Sequence, residues 1–165
     1  MVHRIGLDKA RVVEEAARLI DEDGLEQLSL GRLAERLGVR TPSLYNHVAG
    51  LGGLKRDLAL YCLRDLFDHT LRSAVGKARE EAIIAFSNAY LTYSREMPGR
   101  YMLTLAPNPD DPEAQQVAGK IVEVIAAILA PIIWGKKAPS TLSALYAALF
   151  TALLPWISPG AFVWL

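Results

Sequence analysis

The stretch from Ser29 to Val48 constrains this 165-residue chain more than any other, because its capping residues divide it into two short helices and a turn. Ser29 suits an N-cap, and Leu30, Leu33, Ala34 and Leu37 follow at the three-and-four spacing of one buried helical face. Gly38 stops that helix, since glycine tolerates the left-handed backbone a helix end requires. Thr41 is then placed as N-cap and Pro42 as the first helical residue, where proline's missing N–H would be unpaired anyway. Leu44 and Val48, four apart, turn inward. Two helices joined by so short a glycine-containing turn cross steeply, which is the helix-turn-helix arrangement.

Helical signals continue on both sides. Upstream, Asp8 is placed to cap a helix carrying Val12, Val13, Ala16, Ala17, Leu19 and Ile20, with Leu7 able to staple against Val12 and an end near Gly24. Downstream, from Leu51 on, Leu54, Leu58, Cys62 and Leu66 run beside Leu63, Phe67 and Leu71 on a much longer helix, which reads as a rod between two units. An amphipathic helix is expected over about 77–97, with Ala82, Phe86, Ala89, Tyr90 and Tyr93 on one side and Pro98-Gly99 at its end. A short helix follows over 100–105, residues 107–112 form the clearest loop, and Asp111-Pro112 caps a helix to about Ala130. Ser140 caps a last helix that Pro155 terminates. No strand alternation, repeat or low-complexity tract interrupts the series. The expected class is all-α, with a three-helix unit over 1–50 and a larger helical body over 51–165.

Composition narrows the function classes. At 52% hydrophobic and 22% charged, the chain is no disordered polymer and has much apolar surface to hide. Eighteen basic against eighteen acidic side chains give no net charge, so any polyanion site must be local. The single cysteine, Cys62, excludes an intramolecular disulfide framework and fits a reducing cytosol. Residues 1–7 lack the apolar core of a secretory signal, so a cytoplasmic location is expected. The uncharged stretch over 138–165 is broken by three prolines, and its apolar run over 142–154 is shorter than the ~20 residues a membrane span needs. It reads as a buried helix or subunit interface, with Leu142, Leu145, Leu149 and Leu153 on one face.

The local charge lies at the helix-turn-helix. Between Ser29 and Arg56 stand Arg32, Arg36, Arg40, Lys55 and Arg56, against the single acid Glu35. The apolar seam fixes the helices and leaves Pro42, Ser43, Tyr45 and Asn46 outward near the start of the second. Small, polar and aromatic groups suit the base edges and thymine methyls of the DNA major groove. Arg40, Lys55 and Arg56 flank them at element boundaries.

The run Leu33-Ala34-Glu35-Arg36-Leu37-Gly38-Val39-Arg40-Thr41-Pro42-Ser43-Leu44-Tyr45-Asn46-His47-Val48 resembles the DNA-binding signature of TetR-type bacterial transcriptional regulators, and the likeness holds from about Lys9 to Leu60. The resemblance implies a homodimeric all-helical repressor, whose DNA-binding domain is joined through its fourth helix to a ligand-binding body and which a small effector releases from its operator. It further implies that Tyr45 and His47 contact phosphates while Thr41, Pro42, Ser43 and Asn46 meet or border bases; Ser29, Arg40 and Lys55 complete the candidate set. One departure stands out. Where the family often places lysine at the start of the fourth helix, this chain has Leu51, then Gly52 and Gly53, so backbone N–H groups and Lys55 would have to hold that phosphate. Met97-Pro98-Gly99-Arg100-Tyr101 also resembles these regulators. From about residue 131 the likeness fades, and no charge follows Lys137. A truncated or frame-altered C-terminal part is one explanation, since other codon readings of 145–152 and 160–162 can yield family-like residues.

An apolar effector cavity is expected between the fourth helix, the 77–97 helix and the helix after Pro112, lined by Leu66, Phe86, Tyr90, Tyr93, Met97, Tyr101, Val124 and Ile128. The same residues could instead simply fill the core. An enzyme finds little support: His3, His47 and His69 are scattered, and neither a phosphate loop nor metal-ligand spacing occurs, so no cofactor or metal is expected. The competing reading is a helical module that binds a protein or membrane surface and has no role on DNA.

Overall fold

The computed structural model describes residues 7–105, 108 and 110–133. Among these residues the fold consists of α-helices, short turns and one 3-10 turn. Helix α1 (Lys9–Asp23) starts where Asp8 accepts the Arg11 N–H at 2.7 Å, and ends where Gly24, at φ 88°, donates to the Ile20 carbonyl. A 3-10 turn (Leu25–Gln27) leads to α2 (Leu30–Leu37), capped by the Ser29 hydroxyl on the Arg32 N–H. Gly38, at φ 66°, donates to Glu35 and Val39 donates to Ala34, a Schellman closure that turns the chain toward α3.

Helix α3 (Thr41–Leu44) begins one residue earlier than its sequence suggests. Arg40 is the capping residue, Thr41 is already helical, and no side chain caps the end. Because the turn after Gly38 is so short, the Arg40 carbonyl is the first one in position, and it accepts the Ser43 N–H at 2.9 Å. After one helical turn the chain continues in tight turns to Val48. Gly50, at φ 68°, starts the long α4 (Gly50–Ala74), and α5 (Arg79–Glu96) follows a turn through Gly76. That turn, closed by the Lys77 N–H on the Ala74 carbonyl, leaves Lys77 ahead of α5 rather than inside it. Pro98 ends α5 and opens α6 (Pro98–Thr104) without a loop, and α7 (Pro112–Ile133) follows.

The N-terminal core is contributed by α1, α2, α3 and the first half of α4, where Leu54, Leu58 and Cys62 join Leu19, Leu33, Leu44 and Val48. Further along, Leu60 and Leu63 of α4 bury against Ala114 and Val117 of α7. Helix α4 therefore belongs to both cores, as expected of a rod linking two units. Thr70, fully buried, returns its hydroxyl to the Leu66 carbonyl at 2.8 Å and so adds no unpaired polar group.

Candidate nucleic-acid interface and effector cavity

The outward face of α3 is set by what holds its inner face. Leu44 and Val48 are buried, so Pro42, Tyr45 and Asn46 are left exposed, while Thr41, Ser43 and His47 are half-buried. Tyr45 is 60% exposed, and a tyrosine presented with no core role on a positively flanked turn is placed for a partner. Ser29 is half-buried and occupied as the α2 cap.

The basic cluster divides. Arg32 pairs with Asp23 at 3.0 Å and Arg36 pairs with Glu15 at 2.9 Å and Glu22 at 2.7 Å, so α1 neutralises both. The Arg36 hydrogen bond holds Glu22 below the usual carboxylate range. Arg56 reaches α7 instead: its Nε donates to Asp111 Oδ2 at 2.5 Å and its second nitrogen to Oδ1 at 3.0 Å. Arg40 and Lys55, both exposed, have no carboxylate partner among the described residues. Of the five basic side chains from Ser29 to Arg56, these two are thus left without a carboxylate partner among the described residues, one on each side of the recognition turn. The acids that cancel the other three lie outside the counted segment.

Asp111 does two jobs. It is 5% exposed, its Oδ1 accepts the Glu113 N–H at 3.1 Å as the cap of α7, and the bond from Arg56 holds it below the usual carboxylate range. Glu113 adds bonds to Arg56 and Arg64, so the start of α7 is clasped to α4 one residue after Lys55.

A second junction escaped the sequence reading. Arg100 of α6, largely buried, donates from Nε to Asp21 of α1 and from a terminal nitrogen to Asp65 of α4, both at 2.8 Å. Tyr93 donates to the same Asp65 oxygen at 3.1 Å, and the guanidinium lies 5.7 Å from the Tyr61 ring centre. Desolvation pushes Asp21 above the usual carboxylate range, and its Oδ1 is buried without a hydrogen-bond partner among the described residues. Beside it Gly99 lies so close to α1 that a Cβ would sit 2.4 Å from the Ile20 carbonyl oxygen. The available signal was that Asp21 and Asp65 fall on apolar stripes, four residues after Ala17 and Tyr61, where a carboxylate needs a cation.

The expected effector residues do not form one wall. Phe86, Ile128, Ile83, Ser87, Ile125 and Leu129 line a cavity of about 250 Å³ between α5 and α7. Val124 and Ile128 line a larger one, about 490 Å³, with residues of the α4–α5 corner. Leu66 and Tyr93 are buried in core packing, and Tyr90 and Tyr101 meet edge-on with their hydroxyls 3.3 Å apart. Met97 is half-buried and caps α6. Leu142, Leu145, Leu149 and Leu153 lie outside the described residues. Burial pushes the Cys62 thiol up to about 12, and among the described residues no group of acids, histidines and cysteines is placed to hold a metal. None of the described helices is long and apolar enough to cross a membrane.

A helix-turn-helix presented by a three-helix unit, on a rod shared with a helical body, defines the class of helix-turn-helix transcriptional regulators. Comparisons with known proteins place it further. The family model described as bacterial regulatory proteins, tetR family, matches residues 12–47, and the tetracyclin repressor-like C-terminal domain matches 83–155, so the likeness continues beyond residue 131. An uncharacterized HTH-type transcriptional regulator of Bacillus subtilis is 33% identical over 78% of this chain and 67% of its own length. Another, of Mycobacterium tuberculosis, is 35% identical over 74% of this chain and 57% of its own. The solved structure of a TetR family regulator from Thermus thermophilus shares the fold at 23% identity, with a TM-score of 0.57 over 94% of this chain and 88% of its own. The chain belongs to the TetR family of transcriptional regulators.

Proposed function

We propose that the protein is a homodimeric repressor that holds double-stranded operator DNA through Ser29, Arg40, Thr41, Pro42, Ser43, Tyr45, Asn46, His47 and Lys55, and releases it when a small apolar effector enters the helical body. The observation carrying the DNA reading is the division of the basic cluster: Arg40 and Lys55 are exposed without carboxylate partners, flanking the exposed Tyr45 and Asn46. Cations left open beside a groove-sized projection supply phosphate contacts, and the turn supplies base contacts. One recognition turn covers a half-site, so a second copy is required to engage sites about 34 to 36 Å apart. The four leucines over 142–153 are the proposed interface, in a body spanning 51–165 attached to a DNA-binding unit spanning 1–50.

Phe86, Val124 and Ile128, which line the α5–α7 cavities, are the centre of the proposed effector site. Leu66, Tyr90, Tyr93, Met97 and Tyr101 complete the proposed set, although none of them lines either cavity. Action in the cytoplasm follows from a chromosomal target, and no catalytic role, cofactor or membrane attachment is assigned. Sequencing DNA fragments retained by the purified protein tests the reading. A single enriched motif with two-fold symmetry, lost when apolar compounds bind, is expected; retention without sequence enrichment would contradict it.

A further inference from the structure

Of the two cavities, the larger, about 490 Å³, is a slot between the α4–α5 corner and α7. Its described walls are apolar, with Leu71, Ala78 and Ala82 facing Val124, Ala127 and Ile128, apart from the charged Lys77. Lys77, itself exposed, is tethered here: its N–H closes the turn on Ala74 and its Nζ donates to the Ser73 carbonyl at 2.8 Å. An ammonium has three donors, so two remain, and no carboxylate pairs with Lys77 among the described residues. Glu80 and Glu81 are exposed on the first turn of α5 and do not line the slot. The smaller cavity, away from Lys77, is walled by Ile83, Phe86, Ile125 and Leu129, with Ser87 its polar member.

An apolar slot with one cation among its described lining residues is complementary to an equally asymmetric molecule. We infer that the effector is an aliphatic carboxylate, with its hydrocarbon chain along Val124, Ala127 and Ile128 and its carboxylate on the Lys77 ammonium. This rests on the effector reading above and sharpens it to a ligand class. Each buried methylene favours entry, while the head group selects anion over alcohol or amine. A cationic amphiphile would bring like charge against Lys77.

Calorimetry on the full chain with decanoate, decanol and decylamine tests this. Decanoate is expected to bind about five- to tenfold tighter than decanol, as a partly screened ion pair allows, and decylamine weakest of the three. Raising the salt should shrink the preference for decanoate. Lys77→Gln should bring decanoate down to the affinity of decanol, with an unchanged helical CD spectrum showing that the fold is kept. Ala127→Trp, which fills the slot, should weaken all three ligands. Decanol binding as tightly as decanoate, or a preference that survives Lys77→Gln, overturns the carboxylate class; if decanol also releases DNA, the effector reading stands without it. No binding by any of the three, together with dimer dissociation by Ala127→Trp in sedimentation, overturns both and makes the slot an interface between copies.

Discussion

Lys55 and Arg56 are neighbours in the sequence and opposites in the structure. Lys55 projects from α4 beside the recognition turn without a carboxylate partner among the described residues, whereas Arg56 is bound bidentately to the buried Asp111. Arg40 and Arg100 repeat the contrast: the first is exposed beside α3, the second is sunk between Asp21 and Asp65. A cation with no internal partner is available to a phosphate. One that is paired holds helices together and contributes little to an external field. The difference separates the proposed surface for DNA from an internal frame in which Arg56 and Arg100 tie elements distant in sequence together.

The largest effects should come from breaking the frame. Arg100→Ala leaves Asp21 and Asp65 without their cation in a partly desolvated junction, and should cost about 2 to 4 kcal/mol, read as a lower melting temperature. Gly99→Ala places a methyl against the Ile20 carbonyl and forces α6 away from α1, at about 1 to 3 kcal/mol. If both variants melt with the wild type, the α1–α6 junction is not what fixes the DNA-binding unit.

On the opposite side of the comparison, Tyr45→Ala and Asn46→Ala should each weaken operator binding by about 1 to 3 kcal/mol while leaving the unfolding free energy within about 0.5 kcal/mol of wild type. Equal affinity in both variants would remove α3 from the groove.

The smallest effect is one of sign. Asp111, depressed by its bond from Arg56, contributes stability that is present above roughly pH 4 and lost as pH falls through its folded value. Asp21, raised chiefly by desolvation, costs stability that is recovered on acidification. Asp111→Asn should therefore flatten the fall in melting temperature below about pH 4, and Asp21→Asn should steepen it. The same response in both variants would contradict these assignments.

What the sequence disclosed was local. Asp8, Ser29, Gly38 and Asp111 act on backbone groups within four residues, and each was recognisable from its type and position. The recognition turn was legible for the same reason, apart from the one-residue shift at Arg40. The charges were not, because their partners are remote: Arg56 finds Asp111 55 residues away and Arg100 finds Asp21 79 residues away. Counting charge within a window cannot see such pairs. The effector wall was mixed for a related reason. Helical spacing shows that Tyr93 and Phe86 face inward, but whether an inward residue meets a neighbour or a cavity depends on helices distant in sequence.

The salt dependence of DNA binding tests the contrast between paired and unpaired cations most directly. For duplex DNA retained by the protein, the slope of log affinity against log salt counts phosphate contacts. Arg40→Ala and Lys55→Ala should each reduce that slope by about one per contact removed, whereas Arg56→Ala should lower the melting temperature and leave the slope as it was. A slope unchanged in the first two variants, or reduced equally in the third, would contradict the division of the basic cluster into a DNA surface and an internal frame.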